Sequence, residues 1–137
     1  MDIQTQEQLK KIMKENEECL HRLLQLWYKI IGPQNHKDRD CHFFIERHYC
    51  TYKDPVWTVR HHGYILKDFD EEFKTFNLAL QGLITFLISK IAEEIHYMID
   101  DEDLGTPKEQ IQSLQLEYRT ELEKIVSDVS WTPSNIL

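Results

Sequence analysis

Glycine and cysteine are scarce in this chain of 137 residues. The four glycines are widely separated, which excludes a glycine-rich loop of the kind that cradles phosphate groups. A long hydrophobic run is also missing, because polar side chains interrupt the most apolar stretch, residues 78–91. That stretch is also shorter than the roughly 20 residues that a membrane-spanning helix needs. The sequence therefore predicts a soluble protein that does not cross a membrane.

The three cysteines are an odd number, which argues against a disulfide framework. Cys41 and Cys50 fall in one predicted strand, where a rise of about 3.3 Å per residue would separate them by about 30 Å. A disulfide requires Cα atoms within about 7 Å, so these two residues cannot pair. The N-terminal residues also lack the apolar segment of a secretory signal. Reduced thiols and a cytoplasmic location are the expectation.

Basic residues are outnumbered, with 16 Lys and Arg against 24 Asp and Glu, for a net charge of −8. The excess lies in residues 69–137, which carry fourteen acidic and five basic side chains. Nucleic acids and anionic membranes attract basic surfaces, so both are disfavoured as partners. Adjacent acidic residues such as Glu93 and Glu94 diverge by about 100° on a helix and do not form an acid/base pair. No catalytic arrangement stands out, which favours a non-enzymatic role.

Length and a hydrophobic content of 41% predict a single domain, residues 1–137, with a buried core. The first predicted helix covers residues 5–31. Thr5 and Gln8 have the spacing of a capping box, and apolar residues then recur every three or four positions. Gly32-Pro33 ends the helix, because glycine accepts the left-handed cap and proline cannot continue the hydrogen-bond ladder.

A β-hairpin is predicted over residues 41–66, where aromatic and β-branched residues are frequent. Lys53-Asp54-Pro55 is taken as a three-residue turn, so that the numbers of opposed residues sum to 108. Alternation then places the odd-numbered residues on one face, which is the expected core side. The apolar members of that face are Cys41, Phe43, Ile45, Tyr49, Trp57, Val59 and Ile65.

Two further helices are predicted at residues 69–99 and 107–129. The first would span about 45 Å at 1.5 Å per residue, longer than the diameter of a domain of this size. Thr106, Pro107 and Glu109 have the N-cap, first-turn and reciprocal positions of a helix start. The expected fold is α+β: a long N-terminal helix, a two-stranded antiparallel hairpin and two long helices, with the helices packed on one hairpin face.

Two polar residues, Arg47 and His61, interrupt the predicted core face and oppose each other in the expected register. They could bind an anionic ligand in a pocket under the helices. The alternative is that the pair lies at the sheet rim and bonds to a helix carboxylate. If both were buried, the charge of Arg47 would disfavour protonation of His61.

The even face carries His48, Cys50 and His62, which with Glu46 could form a zinc site. The expected register opposes Glu46 with His62 and His48 with Arg60. A solvated face with cross-strand pairs explains the same residues, and zinc-type spacing motifs are missing. No cofactor is therefore expected, with zinc as the exception to test. The candidate ligand-binding set is Arg47, His61, Glu46, His48, His62 and Arg60.

Apolar residues on this even face predict a contact surface, made of Phe44, Tyr52, Tyr64 and Leu66. A second subunit, another protein, or Trp131 with the C-terminal tail would cover them. The sequence thus favours a homodimeric interaction or regulatory module. A His-rich hairpin in an enzyme or sensor is the alternative. Nucleic-acid binding is the third hypothesis, with contacts from Arg39, Arg47, Arg60, Tyr49 and Trp57.

Overall fold

A computed structural model describes residues 3–31, 43–50, 53–61, 72–98 and 107–131. It confirms an α+β fold in which one helix precedes the strands and two helices follow them. The elements are α1 (Ile3–Ile31), β1 (Phe43–Cys50), β2 (Lys53–His61), β3 (Glu72–Phe73), α2 (Phe76–Tyr97) and α3 (Lys108–Ser127). Within these residues, no helix combines the length and the apolar character that a membrane crossing requires.

The strands form an antiparallel sheet in the order β1-β2-β3. The third strand was not expected, because Glu72 and Phe73 fall in the range assigned to a helix. They pair instead with Thr58 and Trp57 of β2. A strand of two residues is too short to show any periodicity in sequence, which is why the helical pattern that follows it concealed it.

Helix α2 therefore starts at Phe76 instead of residue 69. Thr75 is its N-cap, with an extended backbone and a side-chain oxygen that accepts a hydrogen bond from the Leu78 amide at 3.1 Å. The helix has 22 residues, which corresponds to about 33 Å. The predicted helix of about 45 Å was longer than the domain, and the shorter observed helix removes this mismatch.

The hairpin register also differs from the expected one. From Phe43 opposite His61 to His48 opposite Val56, opposed residue numbers sum to 104 instead of 108, and a bulge between His48 and Cys50 then brings Cys50 opposite Lys53. Lys53-Asp54-Pro55 belongs to β2 and is not the turn. Residues 51 and 52 lie outside the described part. Between Phe43 and His48 the register changes by an even number, so the side chains there keep their predicted faces. In the observed register Ile45 and Val59 are opposed, and both pack against the helical core.

The core is built around α2, which is apolar on most of its circumference. Its buried side chains are Ala79, Leu80, Leu83, Ile84, Leu87, Ile88, Ile91 and Ile95. Helix α1 contributes Leu23 and Leu26, and α3 contributes Leu122 and Ile125. The inner face of the sheet closes one side with Ile45, Trp57, Val59 and Phe73. The expectation that Ile45, Trp57 and Val59 face the core is confirmed.

Helix α3 is antiparallel to α1, as two ion pairs between them show. Arg22 meets Asp128 at 2.6 Å and Lys29 meets Glu121 at 3.2 Å. Pro107 directly precedes α3 and its carbonyl accepts bonds from the amides of the first turn, without a side-chain cap. Pro107 is therefore the N-cap, whereas it was expected to be the first helical residue. The expected cap, Thr106, lies outside the described residues.

Candidate interaction site

The first turns of α1 extend beyond the other two helices. Asn16 donates to the side-chain oxygen of Asn77, in the first turn of α2, at 3.2 Å. It also accepts a bond from the indole of Trp131, which follows α3, at 2.6 Å. Both neighbouring helices thus end at the level of Asn16. Residues 3–14 continue outward for about 18 Å, and all of them except Ile12 are exposed.

This outer segment carries an apolar face at helical spacing. Leu9 and Met13 keep 42% and 39% of their surface exposed, and Ile12 between them is half-buried. The same face continues along α1 to Asn16 and Leu23, which are fully buried. We call Leu9, Ile12 and Met13 the outer face of α1. The sequence predicts this periodicity, but it cannot predict that the partner helices stop before reaching it.

Lysines flank the outer face. Residues 3–14 contain Lys10, Lys11 and Lys14 against a single acidic residue, Glu7, for a net charge of +2. The whole chain has a net charge of −8, so the residues outside this segment have a net charge of −10. A basic, partly apolar helix end is thus attached to a strongly acidic protein.

Polar contacts fix the end of α3 against the middle of α1. The side chain of Glu15 accepts a hydrogen bond from the Ser130 amide, and Arg22 pairs with Asp128. Between them Asn16, which is 0% exposed, bonds to Trp131 and Asn77. We call Asn16 and Trp131 with these two pairs the C-terminal clamp. Trp131 thus bonds to α1 and packs against the core.

Cys19 lies next to the clamp and is only 4% exposed. Burial raises the pKa of its thiol to about 11, which Arg22 opposes and Glu15 and Asp128 reinforce. The thiolate is the reactive form of cysteine, so this thiol is inert while the core stays closed.

A shallow groove of about 500 Å³ follows the solvent side of α1 and is lined by His21, Leu24, Gln25, Tyr28 and Lys29. Its polar groups are engaged locally. His21 and Gln25 share a hydrogen bond of 3.2 Å, and Lys29 pairs with Glu121. These contacts leave few polar groups in the groove that could bind a ligand.

The predicted pair of Arg47 and His61 is wrong. Arg47 opposes Trp57, whereas His61 opposes Phe43. Only the backbone of His61 is among the described features. The guanidinium carbon of Arg47 lies 5.1 Å from the ring centre of Tyr49 and 5.5 Å from that of Trp57. Arg47 is exposed.

Tyr49 was expected in the core but is 75% exposed. It lies at a β-bulge between His48 and Cys50, where the regular alternation of β1 is interrupted. The helices cover the sheet near Ile45 and Val59 and do not extend over Tyr49, at the turn end of β1. Alternation predicts which face a side chain points to, but not where the covering layer stops.

The even face of the hairpin is also rearranged. Glu46 opposes Thr58 instead of His62, and His48 opposes Val56 instead of Arg60. His48 Nε2 lies 2.8 Å from the Thr58 hydroxyl and 3.3 Å from a carboxylate oxygen of Glu46. These contacts give a partly exposed cross-strand polar cluster.

The zinc proposal stays a prediction. His62 and the side chain of Cys50 lie outside what the structure describes. Among the described residues, no group of three or more potential metal ligands occurs. Arg60 lies in β2 opposite Phe44, and neither side chain is described. Of the expected contact residues, Tyr52, Tyr64 and Leu66 are likewise outside the described ranges.

Comparison of the chain with protein-family models, with curated proteins and with solved structures found no match.

Proposed function

We propose that this protein is a homodimeric interaction or regulatory module of the cytoplasm, without catalysis of its own, and that the outer face of α1 forms the contact between subunits. The observation that carries the proposal is the continuation of the core stripe of α1 through Leu9, Ile12 and Met13 beyond the ends of α2 and α3. Apolar helix faces of this kind are typical of surfaces that another helix covers.

The charges around this face favour a second copy of the same helix. In an antiparallel pair with a two-fold axis at Leu9, residues whose numbers sum to 18 oppose each other. Glu7 of one subunit then faces Lys11 of the other, and symmetry generates this contact twice. Opposite charges beside an apolar seam set the orientation of helix pairs in coiled coils.

The expected strength follows from the area still exposed. Full burial of a Leu or Met side chain contributes about 1.5–3 kcal/mol, so the 42% and 39% left on Leu9 and Met13 correspond to about 1 kcal/mol each. Four such side chains in a symmetric dimer contribute about 4 kcal/mol, or roughly a thousandfold in the dissociation constant. The contact is therefore modest and depends strongly on protein concentration.

Light scattering and sedimentation across a concentration series test the proposal. The untagged protein should approach twice its monomer mass of 16.5 kDa. The double variant Leu9→Ser, Met13→Ser should remain a monomer with an unchanged circular dichroism spectrum, because both side chains lie outside the closed core. Leu116→Ser is the matched control, since Leu116 is 68% exposed on α3 and away from the outer face.

A mass that stays at the monomer value up to about 1 mM, the concentration to which about 4 kcal/mol corresponds, would contradict the proposal. An equal loss of dimer in the Leu116→Ser control would show that the outer face is not the contact.

The alternative proposal is a metal or small-anion site on the His-rich hairpin. It is supported by Glu46 and His48, whose side chains lie 3.3 Å apart as two zinc ligands could. Elemental analysis of untagged protein decides it: stoichiometric zinc with a stability that falls in chelator supports this site. Absence of metal, with unchanged stability in chelator, removes its metal form.

A further inference from the structure

The side chain of Arg47 contacts two aromatic rings of the hairpin. Tyr49 follows two positions later, at the bulge of β1, and Trp57 is the cross-strand partner of Arg47. The guanidinium carbon is 5.1 Å from one ring centre and 5.5 Å from the other. Contacts of this kind are attractive because each ring presents negative charge density on its face to the cation. They restrict the side chain in an orientation that an unsupported surface arginine would not keep.

The row of rings is anchored in the core at its inner end. Trp57 is half-buried and packs edge-on against Phe76 at the start of α2, with ring centres 5.3 Å apart. Tyr49 at the outer end is 75% exposed. Phe76, Trp57, Arg47 and Tyr49 thus form a row that runs from the core to solvent. Rigid support from the protein lowers the entropy that a surface loses on binding.

The polar edge of Arg47 is available to an anion. The N–H groups of a guanidinium lie in its plane and suit a carboxylate with two parallel hydrogen bonds, and the side chain of Arg47 is exposed. Within the described residues, no ion pair involves Arg47. Arg, Tyr and Trp are also the residue types that dominate binding energy at protein interfaces.

We propose that Arg47, Tyr49 and Trp57 form a recognition site for an Asp or Glu side chain of a partner protein, with an apolar neighbour that packs on Tyr49. One guanidinium matches the single charge of a carboxylate. The protein as a whole, at a net charge of −8, repels polyanions such as nucleic acids. This site is separate from the outer face of α1 and goes beyond the proposed dimer.

Nuclear magnetic resonance titration of the full chain tests this site. The probe is an acetylated and amidated phenylalanyl-aspartate dipeptide, with the phenylalanyl-asparagine dipeptide as its neutral counterpart and inorganic phosphate as a second anion. The aspartate probe should shift the Trp57 indole and the Arg47 Nε–H resonances saturably. The asparagine probe should bind about tenfold more weakly, because a charge-assisted pair is lost.

Substitutions separate charge from geometry. Arg47→Gln should weaken the aspartate probe about tenfold, and Arg47→Lys should weaken it nearly as much, since lysine keeps the charge but loses the paired hydrogen bonds. Arg119→Gln is the control, as it removes one exposed arginine from α3. Unchanged α2 resonances show that each variant is folded.

Equal binding of the two dipeptides would overturn the proposal, as would wild-type affinity in Arg47→Gln. Tighter binding of phosphate than of the aspartate probe would overturn its assignment to a carboxylate. These results are independent of the dimer, because the Leu9 and Met13 variants leave the hairpin intact.

Discussion

Replacement of Trp131 by Phe tests the C-terminal clamp. The change keeps an aromatic ring but removes the indole N–H that donates to Asn16 at 2.6 Å. Asn16 is 0% exposed, so its oxygen loses a partner in a place that water does not reach. A buried acceptor without a partner costs about 1–3 kcal/mol. We expect Trp131→Phe to lower the free energy of unfolding by about 2 kcal/mol.

Urea unfolding followed by far-ultraviolet circular dichroism measures this change. At a slope of about 1–3 kcal/mol per molar urea, the midpoint should fall by about 1 M. Trp27→Phe is the matched control. Trp27 is also half-buried against the core, and its indole makes no hydrogen bond with any described residue. The difference between the two variants isolates the bond to Asn16 from the loss of ring area.

Thiol labelling of Cys19 gives a second measurement. Cys19 is buried beside the clamp, with a pKa of about 11 because of that burial, so labelling at neutral pH reports local opening. A loss of about 2 kcal/mol from the clamp should speed labelling about thirtyfold if the clamp controls that opening. The reasoning fails if Trp131→Phe and Trp27→Phe differ by less than about 0.5 kcal/mol, which is within ordinary surface effects.

Two further predictions concern β3 and the proposed dimer. A Cβ on Gly82 would lie 2.5 Å from Cζ of Phe73, so Gly82→Ala should destabilise the protein by about 1 kcal/mol, although alanine normally favours helices. The same change should be stabilising in a Phe73→Leu background, and stabilisation in the wild type would contradict the packing of β3 on α2. Glu7→Lys and Lys11→Glu should each weaken self-association severalfold in sedimentation, and the double variant should restore it. A double variant as weak as the two changes combined would exclude the antiparallel pairing.

Periodicity in the sequence was enough to predict the three helices and the hairpin, because burial of one face leaves a repeated pattern. The hairpin register was missed because Asp54-Pro55 resembles a turn, although proline is compatible with a strand where no ladder bond needs its nitrogen. Such turn signals are local. They contain no information about the core packing that results when Ile45 and Val59 oppose each other. The register error then produced every wrong cross-strand pair.

The candidate sites depend on boundaries between elements that lie far apart in sequence. The outer face of α1 is uncovered because α2 begins and α3 ends near the level of Asn16, which bonds to Asn77 and Trp131. The exposure of Arg47 and Tyr49 likewise depends on how far the helices reach across the sheet. No local pattern encodes these distances, since they arise only when the packed elements are placed beside one another.

Asn16 marks the boundary on α1 between the residues that stabilise the fold and the exposed residues that are available to a partner. Residues 3–14 take no part in the closed core, yet they remain helical because they extend a helix whose nucleation the buried half already provides. A partner meets a helix that is formed in advance and loses little chain entropy on docking. Substitutions on this segment can therefore retune affinity or partner choice over many steps while the stability of the domain stays almost constant.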